Sequence, residues 1–271
     1  MSDANQDPET PTRGAVLDRL DRVTDPELDR SLVELDYVDE IEIAPPTVRV
    51  AFSLPTAWCS PAFAWMMAID ARESVEALPG VDVAVVELRD HLHDAEINRG
   101  VNGDLSFAEA FPDADGDVAA VRRDLDAKAR LARQYRAVST LLDAGLSPEQ
   151  IVDLVPSDVD LDDETGVGAV FVRDGAVGVS FPADPLAAYV EKARATGLVA
   201  GGGDSKARDG ANAESEGPLF RTPEGEPISL DEFDLVHRRA RSAHVNLDGQ
   251  GGVCAYLHEA RHGDRAASVG E

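Results

Sequence analysis

Val48, Val50, Phe52 and Leu54 alternate with Thr47, Arg49, Ala51 and Ser53. A period of two sustained over this stretch fits a strand with one buried face and does not fit a helix. On either side the apolar period changes. Val16, Leu17, Leu20 and Val23 recur at helical spacing. Thr24-Asp25-Pro26 is expected to end that helix, because the residue before proline avoids the α region. Tyr37–Ile43 reads as a strand joined to Thr47–Leu54 through Pro45-Pro46. A helix is predicted from Pro61 to about Leu78, with Phe63, Met67, Ala71, Val75 and Leu78 on one face and Pro79-Gly80 as its stop. Val81–Leu88 reads as a third strand. The order helix, strand, strand, helix, strand predicts a small α+β sandwich with its helices on one sheet face.

The remainder reads differently. Residues 91–117 are expected to be a loop-like connector, docked through Phe107 and Phe111 of "LSFAEAF". A long helix is predicted from Val118 to about Ala144. Ser147-Pro148-Glu149-Gln150 has the pattern of a capping box with proline at the first helical position. Ala169–Arg173 and Ala176–Phe181 flank Asp174-Gly175, a hairpin signal. A helix follows from about Pro185 to Thr196. Between Val199 and Leu219 there is no Val, Leu, Ile or aromatic residue, so 200–218 reads as a flexible insert. A helix over about Leu230–Ala243 and a short separate segment around Cys254–Arg261 close the chain. The expected organisation is a tail over 1–13, the α+β domain over 14–90, the connector, a mostly helical region with a β-hairpin over 118–262, and a tail over 263–271.

The net charge of −27 comes from 52 acidic against 25 basic residues, and only Lys128, Lys192 and Lys206 are lysines. The acids are spread along the whole chain, which reads as adaptation to high salt. A basic nucleic-acid footprint is missing, so no nucleic-acid partner is expected. No apolar stretch is long enough for a bilayer. The polar, acidic N-terminus lacks the features of a signal peptide, and the expected location is cytoplasmic. Two cysteines make no disulfide framework and are expected to be reduced there.

Cys59 precedes Ser60, a good N-cap, and Pro61, a good first helical residue. A thiol at a helix N-terminus gains thiolate character. A buried structural cysteine at a strand end is equally common, and spacing alone leaves both readings open. Around this thiol, "VTDPELDRSLVELDYVDEIEI", the alternating strand, Cys-x-Pro opening a helix and "LPGVDVAVVEL" resemble the SufT/PaaD-like iron–sulfur cluster assembly domain. Asp25, Pro26, Glu27 and Cys59 stand at that family's positions. The family usually has Cys directly before Pro, and here Ser60 intervenes. The longer pattern is similar to larger proteins of this type associated with hydrocarbon monooxygenase systems. The resemblance implies a non-enzymatic maturation factor, a scaffold, carrier or client adaptor, that holds iron or an iron–sulfur cluster transiently on Cys59 with Asp25 and Glu27. A cluster normally takes four thiolates and one chain has two, so it would be shared with a client iron or iron–sulfur protein or with a second copy, or take ligands other than cysteine.

Cys254, His91 and His93 are further candidate ligands. His91-x-His93 would point one way in an extended segment, although a polar loop after the third strand explains it better. Residues 258–262, "HEARH", fit the zinc-hydrolase pattern, but too little chain follows to supply a third ligand. The C-terminal half faintly resembles a tyrosine recombinase. Ser147 stands where an arginine is required and no tyrosine follows Arg261, so a metal-free regulatory or binding module is the alternative reading. Met67 reads as core, and Trp65 with Met66 as an exposed contact patch.

Overall fold

The computed structural model describes residues 10–114, 117–162, 164–172, 177–199 and 217–267, and only the backbone of 262–267. The Asp174-Gly175 turn, nearly all of the 200–218 insert and most of both tails lie outside these residues. The chain forms two units, 1–121 with 249–271, and 122–248. No helix among the described residues is long and apolar enough to cross a membrane.

The first unit opens with α1 (Arg13–Leu20), whose N-terminus is capped by the Thr12 hydroxyl accepting from the Ala15 N–H at 3.1 Å. The helix ends at Leu20, four residues before the expected stop, and Val23 reaches the core from the turn that follows. β1 (Thr24–Asp25) and β2 (Arg30–Ser31) are antiparallel flanks of the Pro26–Asp29 turn. β3 (Val38–Ala44) pairs antiparallel with β4 (Thr47–Ser53), and β4 pairs parallel with β5 (Val83–Arg89). Parallel neighbours require a crossover, and α2 (Pro61–Glu76) supplies it. Val48, Val50, Phe52 and Leu54 are all buried in one cluster with Val16, Leu20, Met67, Ala71 and Val75, and toward the end of β4 Ala51 and Ser53 on the other face are buried as well, beyond the single buried face that the alternation predicts.

Residues 91–117 are not the expected loop. They carry α3 (Asp94–Asn102) and α4 (Phe107–Ala110). α3 closes the open edge of β5 with two asparagines. Asn98 Oδ1 accepts from the Leu88 N–H at 2.8 Å and its Nδ2 donates to the Leu88 carbonyl at 2.9 Å. Asn102 does the same for Val86, at 2.9 and 2.7 Å. Each amide takes the place of a missing strand residue and removes an edge that would otherwise invite pairing. The expected exposed patch is also corrected. Trp65 and Met66 are buried. The Trp65 ring meets Phe107 and Phe111 edge-on at 5.6 and 6.3 Å. A Cβ on Gly100 would come within 2.6 Å of that ring, so the close approach needs glycine there.

In the second unit, α5 (Val118–Asp143), which begins in the first unit, leads to α6 (Pro148–Val152). The predicted capping box is present: Ser147 and Gln150 each bond the other's backbone N–H. β6 (Val159–Asp162), β7 (Val167–Val172) and β8 (Val177–Pro182) form an antiparallel meander, one strand more than the predicted hairpin. α7 (Ala183–Ala195) follows. Leu141, Ile151, Val170, Leu186, Tyr189 and Phe220 share the core. Arg130 is buried, its guanidinium donating to the carbonyls of Thr222 and Pro223 at 3.0 and 3.3 Å.

The final helix, α8 (Phe233–Ala267), is continuous where two separate segments are expected, and it also takes in 263–267, expected as tail. It runs through Gly249, Gly251 and Gly252, each costing about 1 kcal/mol against alanine. Packing of its later turns on the first unit offsets that propensity.

The asparagine clamp gives a direct test. Asn98→Ala and Asn102→Ala each strip a buried strand edge of two hydrogen bonds, so each should lower unfolding free energy by about 1–3 kcal/mol. Urea melts in molar salt would measure this, and wild-type midpoints in both variants would show that the edge is satisfied otherwise.

Candidate functional site

β4 and β5 run parallel, so their carboxyl ends lie at the same end of the sheet. The chain leaves β4 toward Cys59 and leaves β5 toward His91, and the two exits meet there. His91 Nε2 lies 2.9 Å from the Cys59 carbonyl oxygen, and the Leu92 N–H donates to the Ala57 carbonyl at 2.8 Å. His91 Nδ1 accepts from the His93 N–H at 3.1 Å, which places the proton on Nε2 as donor to Cys59. Burial first of all holds the His91 imidazole below its ordinary value. Both ring nitrogens are engaged, so His91 positions the thiol loop and has no nitrogen left for a metal. His93 has its ring 6.1 Å from that of His91 and 5.6 Å from Phe111, its Nδ1 3.9 Å from Glu96, and it lines a pocket with Ser60 and Pro61 at the start of α2.

Cys59 is half-buried, and its Sγ lies 3.1 Å from Thr56 Oγ1. Ser60 holds the N-cap position of α2 but its side chain makes no capping bond, contrary to expectation. Ser60 instead contributes its carbonyl, which accepts from the N–H groups of Phe63 and Ala64 at 3.0 and 3.1 Å.

Asp25 is buried at the start of the Asp-Pro-Glu turn. Its Oδ1 accepts from the N–H groups of Glu27 and Leu28 at 2.8 and 3.1 Å, so the side chain itself folds the turn. Burial pushes its carboxyl up to about 6, against the lowering effect of those two bonds, and the Glu27 charge adds to the rise. Tyr37, only 1% exposed, stands beside it. Its hydroxyl is near enough to favour the carboxylate yet makes no bond of hydrogen-bonding geometry. Burial, then the Asp25, Cys254 and Cys59 charges, push the phenol upward.

The far end of the chain supplies the last wall. Gly251, Cys254, His258 and Arg261 recur at helical spacing on the face of α8 turned from solvent. The His258 ring lies 5.4 Å from Tyr37. Gln250 Nε2 donates to Glu27 Oε1 at 3.3 Å. Arg261 donates to the Leu54 carbonyl at 3.3 Å and to the Asp90 carbonyl, clasping the exits of β4 and β5 together. Burial and then the charges of Asp25, Glu27 and Cys59 push the Cys254 thiol up to about 11.

Asp25, Glu27, Cys59 and Cys254 are thus brought to one place, and His93 borders Ser60 and Pro61 beside it. Among the described residues no three His, Cys, Asp or Glu side chains already stand as a group that could hold a metal ion. Of "HEARH", His258 and Arg261 face the first unit, Glu259 is exposed, and the His262 side chain lies outside the described residues. Tyr37, His258 and Arg261 border this candidate site, and sequence reasoning had linked none of them to Cys59 or Asp25. A tyrosine opening a strand reads as core, and nothing local relates the end of the chain to Asp25.

Compared with known proteins, residues 13–88 match the iron-sulfur cluster assembly protein family. The match spans α1 to β5 and includes Asp25, Glu27, Tyr37 and Cys59. No curated protein matches the chain.

A carboxyl held high in the fold stabilises it only while protonated. That contribution is whole below the unfolded value of 3.8 and is lost as pH rises through about 6. Asp25→Asn keeps an oxygen for the two N–H groups and removes the buried charge. It should be more stable than wild type by about 2 kcal/mol near neutral pH, with the gain shrinking as pH falls toward the unfolded carboxyl value. Melts across that range in constant salt would decide this, and equal stability at neutral pH would show that Asp25 bears no burial cost.

Proposed function

We propose that the first unit is an iron–sulfur assembly module of the SufT/PaaD-like kind. It takes iron or a cluster as cargo on Cys59 and yields it to a client iron or iron–sulfur protein. The chain is a scaffold or carrier on this reading, not a catalyst. The observation that carries it is the convergence of Asp25, Tyr37 and Cys59 inside the family-matched segment. The Tyr37 hydroxyl is buried without a hydrogen bond. A buried polar atom in that state is costly for the fold alone and suits a site completed by something else.

The donor set fits such cargo. A thiolate is the ordinary protein ligand of iron–sulfur species, and carboxylate oxygens accept iron as well. Asp25 and Glu27 also add negative charge, which favours a cation at the thiol. The nearby cations leave room for one. Arg30 is paired with Glu34 at 2.7 Å and Arg261 is spent on backbone carbonyls. Trp58 and Leu92, 76% and 67% exposed, flank the thiol and the His91 bridge. Large apolar side chains in such positions suit a client that covers them while the cargo passes. Sharing of ligands with that client, or with a second copy, accounts for the shortfall of thiolates in one chain.

Anaerobic reconstitution with ferrous iron and sulfide tests this reading. Cys59→Ser should lose nearly all bound iron and sulfide and fail to activate a client apoprotein, with melting unchanged. Asp25→Asn should bind less while melting higher, the pattern of a residue kept at the expense of stability. A Cys59→Ser protein with its full complement of iron and sulfide would overturn the assignment.

A further inference from the structure

We infer that Cys254 is a second ligand of the site, so that α8 and the β4–α2 loop present a thiolate pair to one thiophilic divalent ion, the ferrous iron from which a cluster is built. This rests on the assembly reading for the identity of the ion, but its grounds are separate. Cys254 lies outside the family-matched residues, and the glycines before it give no sign of a site.

The placement comes from contacts on either side of it along the helix. Gln250, one turn earlier, reaches Glu27. His258, one turn later, packs on Tyr37. Arg261 then holds the exits of β4 and β5, between which Cys59 sits. Cys254 is thereby fixed over the Asp25 turn, and both cysteines pack at the margin of the same core. Each is half-buried. Asp25, Glu27 and the Tyr37 phenol stand around the pair, and the nearby cations Arg30 and Arg261 are engaged by Glu34 and by backbone carbonyls. The unbonded Tyr37 hydroxyl is buried there. Binding is then an exchange: two S–H bonds break, two metal–sulfur bonds form, both protons leave to solvent, and no electron moves. The two remaining tetrahedral positions fall to sulfide or to a client's side chains, so no third side chain of this chain is required at ligand spacing.

Cobalt(II) added to the reduced full-length protein under anaerobic conditions in molar potassium chloride is the probe. The wild type should show a thiolate-to-cobalt charge-transfer band. Cys59→Ser and Cys254→Ser should each lose about half of its intensity, and the double variant all of it. Circular dichroism melts of each variant would confirm that the fold is retained, and Arg261→Ala, which loosens the docking of α8 without touching a thiol, should weaken cobalt binding. A Cys254→Ser protein with the full band, or a wild type with none, would overturn the inference. The two readings separate cleanly. A two-thiolate band in a protein that builds no cluster from iron and sulfide would keep this site and remove the assembly function. Full cluster assembly in Cys254→Ser would do the reverse.

Discussion

Parallel pairing of β4 with β5 is the constraint on which the site depends. Two parallel strands cannot be joined by a tight turn, so the chain must leave the sheet, cross over as α2 and return. Crossing places the start of α2 beyond the carboxyl end of β4, and the segment after β5 emerges beside it. Open sheets with crossover helices commonly place ligands at these strand ends. Here the two exits are locked by His91 on the Cys59 carbonyl and by the Leu92–Ala57 backbone bond. The position of the thiol follows from topology before any question of its chemistry arises.

The same pairing leaves β5 as an exposed edge, and the fold answers with α3. Asn98 and Asn102 lie one helical turn apart, and alternate edge residues of β5 are spaced to match. A helix and a strand therefore meet through side-chain amides that act as a fourth strand. Trp65 on α2 then packs against Gly100 of α3 and Phe107 of α4, so the segment after the third strand is as much part of this core as the sheet itself.

The site runs against stability, and that contrast is informative. Asp25 holds a turn that an uncharged asparagine could hold, yet it is buried and raised in pKa. Tyr37 has its hydroxyl in the interior with no hydrogen bond. The surrounding core, from Val16 to Leu88, shows no comparable tension; its buried side chains are apolar apart from Ser31 and Ser53, whose hydroxyls donate to Asp21 and Asp39. Local rules are broken where Asp25, Tyr37 and the two thiols meet, which is where function is expected to sit in a well-formed domain.

The α+β class, β3, β4, α2 and β5, and the Ser147 capping box were legible in the sequence, because each rests on residue periodicity or on a bond between near neighbours. The place of Cys59 just before α2 was legible for the same local reason, whereas the Asp-Pro-Glu turn came from the family resemblance. Tertiary structure decided the rest. Polar residues hid α3, since Asn98 and Asn102 look like surface until the strand edge they bond is known. Trp65 seemed exposed because its cover, Phe107 and Phe111, lies across a turn that periodicity does not reach. The glycines around 250 suggested a break in α8, and only the docking of Cys254, His258 and Arg261 keeps it whole. Local sequence determines which segments are helix or strand, whereas contacts between residues two hundred positions apart are set by the packing of the folded chain, and those contacts bring the end of α8 to Asp25 and Cys59.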